Sequence, residues 1–252
     1  MKGQNHVMEE PAPSGYVAVI PAAGAGTRLP DRELSKELMP FSSPGRAEKP
    51  VISHLLHCLG RAGVNDTIVV LRDDKTDIAE YLAGPEWCAS RIQFVMTPGT
   101  SGVPETVALG IRDAGSRNVA FGFPDILFEP KDAFLRLMQR LDNSAADVVL
   151  GLFPTDTPAK MDMVATDSGG RVTDIQIKPE CTTLDLTWIL ATWTPRFSAF
   201  LASHHDGSHL GDAFQRAMQD GITIDSVAFE EGRSLDIGTP EDLARAKQWQ
   251  AR

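Results

Sequence analysis

The sequence predicts an α/β fold, with an open, mainly parallel sheet, helices on both faces, and a smaller α+β lobe. Three observations predict this architecture. Short apolar runs alternate with amphipathic segments, a glycine-rich stretch follows the first apolar run, and a hairpin pattern interrupts the alternation later in the chain. Strands that alternate with helices are typical of parallel sheets, in which ligands bind beyond the carboxyl ends of the strands.

The first half of the chain supplies the alternating elements. The apolar run 16–20 ends at Pro21 and a glycine-rich stretch, which indicates a buried strand that leads into a loop. Apolar residues recur at helical spacing after Pro50 as far as Gly63, and a second buried strand follows. This second strand is predicted at 67–71. The elements predicted after it are a strand at 92–95, a helix at 104–114, a strand at 119–123, a helix at 133–141 and a strand at 148–153.

In the second half of the chain, the regular alternation of predicted strands and helices ends. Segments 161–165 and 172–177 flank the turn 167–170, which is the pattern of a hairpin. A helix at 211–219, a strand at 223–228 and a helix at 240–249 complete the chain. We expect this half to be the smaller lobe, packed on the same sheet as part of a single domain at 16–252 that follows a flexible tail at 1–15.

Composition limits the classes of function. The chain has 252 residues, of which 24 are basic and 34 acidic, and its net charge of -10 argues against a nucleic-acid partner. No apolar run is long enough to span a membrane. The three cysteines are widely spaced and lack a CxxC pair, which favours the reducing cytoplasm.

The strongest motif is GAGTR at 24–28, followed by SKELMP at 35–40. Glycines allow backbone N–H groups to approach a polyphosphate, and two nearby cations neutralise charge that shifts between phosphates. The dinucleotide-binding fingerprint is excluded because Leu29 stands where its last glycine is needed, and no Gly-Lys-Ser/Thr follows to make a Walker A loop. The pair of segments suits a nucleoside triphosphate.

These segments resemble the signature of the sugar-1-phosphate nucleotidyltransferases, particularly the glucose-1-phosphate thymidylyltransferases and related NDP-sugar pyrophosphorylases. The resemblance implies a Rossmann-like nucleotide-binding sheet. It also implies that Arg28 contacts the phosphates that leave as pyrophosphate and that Lys36 approaches the α-phosphate. The two residues are eight positions apart, which is shorter than in most members of the family. The residues that would bind the nucleotide are Ala23, Gly24, Ala25, Gly26, Thr27, Thr97 and Gly102.

Two aspartates follow likely strands, at positions where carboxylates project into the crevice. The resemblance places a metal-binding aspartate after the fourth strand and another in Leu-Asp-x-Gly-Thr, which match Asp125 and Asp236. Carboxylates and phosphate oxygens are typical ligands of Mg²⁺. We therefore expect Mg²⁺ as the cofactor.

The residues expected to bind the acceptor match the family motif at one position and differ from it at several others. Lys178 precedes Pro179 and resembles the family lysine that grips the acceptor phosphate, but Ile177 replaces a glutamate that usually binds a sugar hydroxyl. The bulky segment 187–193 also departs from the small sugar contact of the family. We expect an acceptor other than plain glucose 1-phosphate. Thr97 stands where the family has a base-reading glutamine, so this position does not select the base. The resemblance puts dTTP or UTP first, and CTP stays open.

The sequence thus predicts an enzyme that joins a nucleoside triphosphate to a sugar 1-phosphate or similar phosphorylated acceptor and releases pyrophosphate. Two alternatives stay open: a catalytically silent nucleotide-binding regulatory module of the same fold, and a nicotinamide-dependent oxidoreductase. The expected partners are the triphosphate and the phosphorylated acceptor, without nucleic acid or membrane. Assembly into a homo-oligomer is left open.

Overall fold

The computed structural model describes residues 15–26, 34–41, 48–207, 209–246 and 249. The predicted tail at 1–15 lies outside the described residues apart from Gly15. The described strands are β1 (Tyr16–Ala22), β2 (Pro40–Phe41), β3 (Lys49–Pro50), β4 (Asp66–Arg72), β5 (Arg91–Thr97), β6 (Asn118–Gly122), β7 (Ile126–Glu129), β8 (Val148–Pro154), β9 (Asp162–Thr166), β10 (Val172–Ile177), β11 (Leu186–Trp193), β12 (Ile224–Ala228) and β13 (Arg233–Asp236).

Helices separate most of these strands. The described α-helices are α1 (Ile52–Arg61), α2 (Thr76–Leu82), α3 (Val103–Ile111), α4 (Ala133–Asp142), α5 (Pro195–Ser203), α6 (Leu210–Gln219) and α7 (Pro240–Ala246). Short 3-10 helices are described at Lys36–Leu38, Pro85–Trp87 and Pro158–Lys160. Within the described part of the chain, no helix has the length and apolar character needed to cross a membrane.

In the described part of the chain, the central sheet has nine strands and is mainly parallel, as predicted. Strands β5, β4, β1 and β6 lie side by side in parallel. Strand β11 is antiparallel to both β6 and β8, and β12 adds in parallel to β8. The predicted hairpin is formed by β9 and β10 and joins β11 where Thr187 faces Met163. The antiparallel β11 in the middle of the sheet was not predicted.

Helices cover both faces of the sheet because its strands carry apolar residues on both sides. In β1, Ala18 and Ile20 face the core that contains α1, α2 and α4. Val17 and Val19 face the opposite core, which contains α3, α5 and α6. The prediction of an open sheet with helices on both faces is therefore confirmed. Helices α2 and α5 were not predicted.

A separate two-stranded ribbon, β7 with β13, continues the chain beyond β6. Its register places Asp236 opposite Ile126 and Leu235 opposite Leu127. The buried His54 in α1 supports this ribbon, because its Nε2 atom accepts a hydrogen bond from the Phe128 backbone N–H at 3.2 Å. Burial lowers the pKa of His54 to about 4, so the ring is neutral near pH 7.

Candidate active site

A cavity of about 520 Å³ opens at the carboxyl ends of β1 and β6. Its wall comes from separate parts of the chain: the loop after β1, the first 3-10 helix, residues 98–103, the end of β13, and the β9–β10 hairpin with the start of α6. Loops at this edge of a parallel sheet are the usual place for ligands. The cavity is therefore the candidate active site.

The glycine-rich loop borders the cavity directly. Ala23, Gly24 and Ala25 line it, and a Cβ atom placed on Gly24 would meet no atom of the described residues within 4 Å. The loop backbone therefore has open space beside it. Gly26 has a φ of 63°, a backbone angle that residues other than glycine rarely adopt. Thr27 and Arg28 lie outside the described residues.

Lys36 reaches the cavity from the 3-10 helix Lys36–Leu38 and forms an ion pair with Asp125. The two side chains are 18% and 8% exposed, so water screens the pair weakly. Burial lowers the pKa of Lys36, but the combined effect of Asp125, Glu37 and Asp236 outweighs burial and raises the pKa above its usual value. Lys36 is therefore a permanent cation in the site at neutral pH.

Two contacts from the region of α2 hold the short helix in place. The Ser35 backbone N–H and hydroxyl donate to the Asp77 carboxylate at 2.6 and 2.8 Å. On the other side of Lys36, the Lys75 ammonium donates to Glu37 Oε1 at 2.7 Å, and both of these side chains are buried. Lys36 is thus fixed by neighbours that precede and follow it.

Asp125, which directly precedes β7, and Asp236, the last residue of β13, reach the same cavity from one end of the β7–β13 ribbon. The ribbon register brings Asp236 opposite Ile126, and the Ile237 N–H donates to the Asp125 backbone oxygen at 2.9 Å. Asp236 also contributes to the raised pKa of Lys36, so the two aspartates share one cation. Among the described residues, no group of three or more His, Cys, Asp or Glu side chains is arranged to hold a metal.

The turn that follows β5 lines the cavity, whereas Thr97, the last residue of β5, does not. Thr97 is buried, and its hydroxyl donates to the Gly99 oxygen at 3.0 Å. Residues 98–103 border the cavity. One of them, Gly102, directly precedes α3. Thr97 supports the turn that carries Gly102, and it is not part of the cavity wall.

At the other end of the cavity, Lys178 follows the last residue of β10. Its φ of 42° lies in the left-handed region, which costs energy for a residue with a side chain and often marks functional positions. Ile177 pairs with Asp162 across the hairpin, and Asp162 also lines the cavity. Lys178 and Asp162 therefore occupy the same end.

Sequence reasoning did not assign several titratable residues that border the cavity: Glu37, Arg72, Lys160, Asp162 and His209. The hairpin pattern contained a signal for Asp162, because the residue that pairs with Ile177 must lie beside Lys178. Trp188 is buried and also contributes to the wall.

The fold and the cavity define an α/β protein in which cationic and acidic side chains line one cavity at the carboxyl ends of the strands. The family profile described as nucleotidyl transferase matches residues 17–251, and the chain belongs to that family. The chain is therefore a nucleotidyltransferase. This match confirms the predicted resemblance at the level of the nucleotidyltransferases, and it removes the oxidoreductase alternative.

Solved structures share the fold. A Bacillus anthracis protein assigned as a glucose-1-phosphate thymidylyltransferase superposes with a TM-score of 0.81 at 16% identity, over 92% of this chain and 94% of the other. A UDP-glucose pyrophosphorylase from Acinetobacter baumannii gives a TM-score of 0.78 at 19% identity over 92% of each chain. A UTP-bound form of that enzyme gives the same values. The search of curated proteins found no significant match.

Proposed function

We propose that this nucleotidyltransferase joins a nucleoside triphosphate to a sugar 1-phosphate or a similar phosphorylated acceptor. A phosphate oxygen of the acceptor attacks the α-phosphorus, the bond to the β-phosphate breaks, and pyrophosphate leaves. The observation that carries the proposal is the cavity itself, where Lys36, paired with Asp125, lies in one space with the glycine loop and Lys178. UTP and dTTP are the first candidates and CTP the next.

The charges of the site support this chemistry. Transfer at an α-phosphorus requires in-line placement and neutralisation of charge rather than a covalent nucleophile. We assign Lys36 to the α-phosphate, Lys178 to the acceptor phosphate and Arg28 to the departing pyrophosphate. The positions of Lys36 and Lys178 at different ends of one cavity support a path between two phosphates.

The backbone around the cavity supports the assignment of the triphosphate. We assign Ala23, Gly24, Ala25, Gly26 and Thr27 to its phosphates, because the described part of this loop leaves open space at Gly24. We assign Gly102 to the nucleobase end, with Thr97 acting through the turn that its hydroxyl holds.

Asp125 and Asp236 fit a magnesium ion. Mg²⁺ usually takes one or two carboxylates from the protein, and substrate phosphates and water supply its remaining ligands. Asp125 and Asp236 provide two carboxylates at one end of the β7–β13 ribbon, in the same cavity as the glycine loop. When bound, the ion would neutralise phosphate charge. Lys36 would then be freed from Asp125 to contact phosphate, since the metal would take over the charge of that carboxylate.

Pyrophosphate release tests the proposal across a grid of four nucleoside triphosphates and a panel of sugar phosphates and amino-alcohol phosphates with Mg²⁺. We expect one nucleotide and one acceptor class to give turnover that requires both substrates. Nucleotide binding without pyrophosphate release in any combination would instead favour a silent regulatory module. A cytoplasmic location and self-association stay predictions.

The matched variants are Lys36→Ala and Lys131→Ala. Lys131 lines a separate cavity near α4, so its loss should leave turnover unchanged. Equal activity of both variants would remove Lys36 from the proposed reaction.

A further inference from the structure

Arg72 is a cationic residue of the cavity wall to which the proposed chemistry gives no role. It is the last residue of β4 and lies beside Thr97 of the parallel strand β5. Val70, two residues earlier, packs beneath α3, where a Cβ atom on Gly110 would lie 3.0 Å from Val70 Cγ2. Side chains two residues apart on a strand point to the same face of a sheet. The Arg72 side chain therefore lies on the face where the turn 98–102 leads into α3.

Asp74 orients the guanidinium of Arg72. Arg72 Nε donates to Asp74 Oδ1 and Arg72 Nη2 donates to Asp74 Oδ2, both at 2.6 Å. A guanidinium has five N–H donors in a rigid fork, so this pair leaves both hydrogens of Nη1 and one of Nη2 unused. Nη1 forms no hydrogen bond with the described residues, and it is not among their enclosed polar atoms. The outer edge of the guanidinium, Nη1 with Nη2, is therefore a pair of oriented donors within reach of a ligand.

Three carbonyl oxygens at the neighbouring turn already accept hydrogen bonds. The Thr97 oxygen accepts from the Asp73 N–H at 2.9 Å. The Gly99 oxygen accepts from the Thr97 hydroxyl, and the Gly102 oxygen accepts from both the N–H and the hydroxyl of Thr106. These contacts hold the turn against β4 and α3, so these oxygens are engaged before a nucleobase arrives.

The carboxylates around Arg72 offer no acceptor to the cavity. Asp74 and Glu37 both raise the pKa of Arg72. Both oxygens of Asp74 bind the guanidinium, and Asp74 is not part of the cavity wall. Glu37 lines the cavity, but its Oε1 accepts from Lys75 and its Oε2 is enclosed. Arg72 therefore makes this end of the cavity richer in hydrogen-bond donors than in acceptors.

The nucleobases differ in what they present to a pair of donors. Cytosine carries the adjacent acceptors O2 and N3, and guanine carries the adjacent acceptors O6 and N7. Uracil and thymine have an N–H between their two carbonyl groups, and adenine has an amino group beside both N1 and N7. In these three bases a donor of the base would face a donor of the protein. An arginine that donates to O6 and N7 is the most common specific contact between proteins and guanine.

We propose that Arg72 selects the nucleobase and favours CTP or GTP over UTP, dTTP and ATP. Its outer edge donates two parallel hydrogen bonds to two adjacent acceptors of cytosine or guanine. This inference rests on the proposed function, because it names the nucleotide of the same site. The order differs from the one that the family resemblance implies, since Thr97 replaces the base-reading glutamine and Arg72 cannot accept the N–H of uracil or thymine.

Calorimetric titration without an acceptor tests the selection, because no transfer occurs and the five nucleotides share the same triphosphate. CTP, GTP, UTP, dTTP and ATP are each titrated into the protein with Mg²⁺. CTP and UTP form the sharpest pair, since they differ only at N3 and C4 of the ring. We expect CTP or GTP to bind at least about tenfold more tightly than UTP, dTTP and ATP, because a bidentate contact discriminates strongly against the wrong base.

Two variants separate the shape of the guanidinium from its charge. Arg72→Gln supplies an amide that both donates and accepts, and Arg72→Lys keeps the charge without the fork. In both variants CTP and GTP should bind within about threefold of UTP, because the paired donors are lost. The control is Arg216→Gln, the same change at an arginine of α6 that pairs with the exposed Asp206, and it should keep the wild-type preference.

Three outcomes would overturn the inference: neither CTP nor GTP binds more tightly than the other nucleotides, the preference survives in Arg72→Gln, or this variant weakens all five nucleotides by the same factor. The last outcome would mark Arg72 as a phosphate contact. Selective binding of CTP or GTP without pyrophosphate release with any acceptor would keep the inference and overturn the proposed function. Pyrophosphate release with UTP in preference to CTP and GTP would do the reverse, so the two failures are distinguishable.

Discussion

The buried pair of Lys75 and Glu37 gives a prediction that joins stability to the site. Their side chains are 5% and 1% exposed, and the Lys75 ammonium lies 2.7 Å from Glu37 Oε1. The second oxygen of Glu37 is buried without a hydrogen-bond partner among the described residues. Glu37 directly follows Lys36, so this pair anchors the helix that presents the proposed catalytic lysine.

Lys75→Met removes the cation that donates a hydrogen bond to Glu37 and leaves this buried carboxylate without its ion-pair partner. Loss of one partner of a buried ion pair costs roughly 3–5 kcal/mol of unfolding free energy. We expect a loss in that range, because both side chains are almost fully excluded from water. The double change Lys75→Met with Glu37→Leu removes both charges, and replacement of a whole buried pair by apolar residues is often neutral.

Urea denaturation at pH 7 gives the free energy of unfolding of the wild type, the single variant and the double variant. The control is Asp206→Asn, which breaks the exposed pair of Asp206 with Arg216 and should cause no measurable change. A loss below about 1 kcal/mol for Lys75→Met would contradict the reasoning, since it lies well under the cost of an isolated buried charge. A double variant no more stable than the single one would contradict it as well.

Three further predictions concern the site and its support. Lys36→Ala should lower kcat on the order of a hundredfold, as measured by pyrophosphate release, because a fixed cation that stabilises the transition state is lost; near wild-type turnover would refute its role. Asp125→Asn should raise the Mg²⁺ concentration for half-maximal activity, and an unchanged requirement would exclude this aspartate as a ligand. His54, with its pKa lowered from 6.5 to about 4, should make the protein lose stability as the pH falls, because the unfolded chain takes up a proton near pH 6.5 and the folded chain does not. Denaturation at pH 6.5 and pH 5 should show about 2 kcal/mol more loss in the wild type than in His54→Gln, and equal losses would contradict the assignment.

The parallel part of the fold could be predicted because its signals are local. Strand β1 is a continuous apolar run, and α1 begins after Pro50 and ends before Gly63 at helical spacing. Strands β7 and β13 could not be predicted as partners, because Glu129 and Arg233, which pair across them, are 104 positions apart. No local pattern encodes such a contact. The antiparallel position of β11 depends on long-range packing in the same way.

The same distinction applies to the site. Motif residues such as Gly24 and Lys36 could be placed because a known family carries them in a recognisable order. Asp162 could not be recognised, since a single polar residue in a hairpin strand is ordinarily a solvated side chain. Its burial arises only when α6 packs against it at Gly211, and that contact joins segments far apart in the sequence.

The central claim is that an acceptor phosphate oxygen attacks the α-phosphorus of the nucleotide, and oxygen labelling tests it most directly. An acceptor with ¹⁸O in its phosphate is turned over with the preferred nucleotide and Mg²⁺, and the products are analysed by mass spectrometry. The account predicts one pyrophosphate for each nucleoside-diphosphate product, with all of the ¹⁸O in that product and none in pyrophosphate. Release of nucleoside monophosphate without incorporation of the labelled acceptor would show attack by water and would contradict the account.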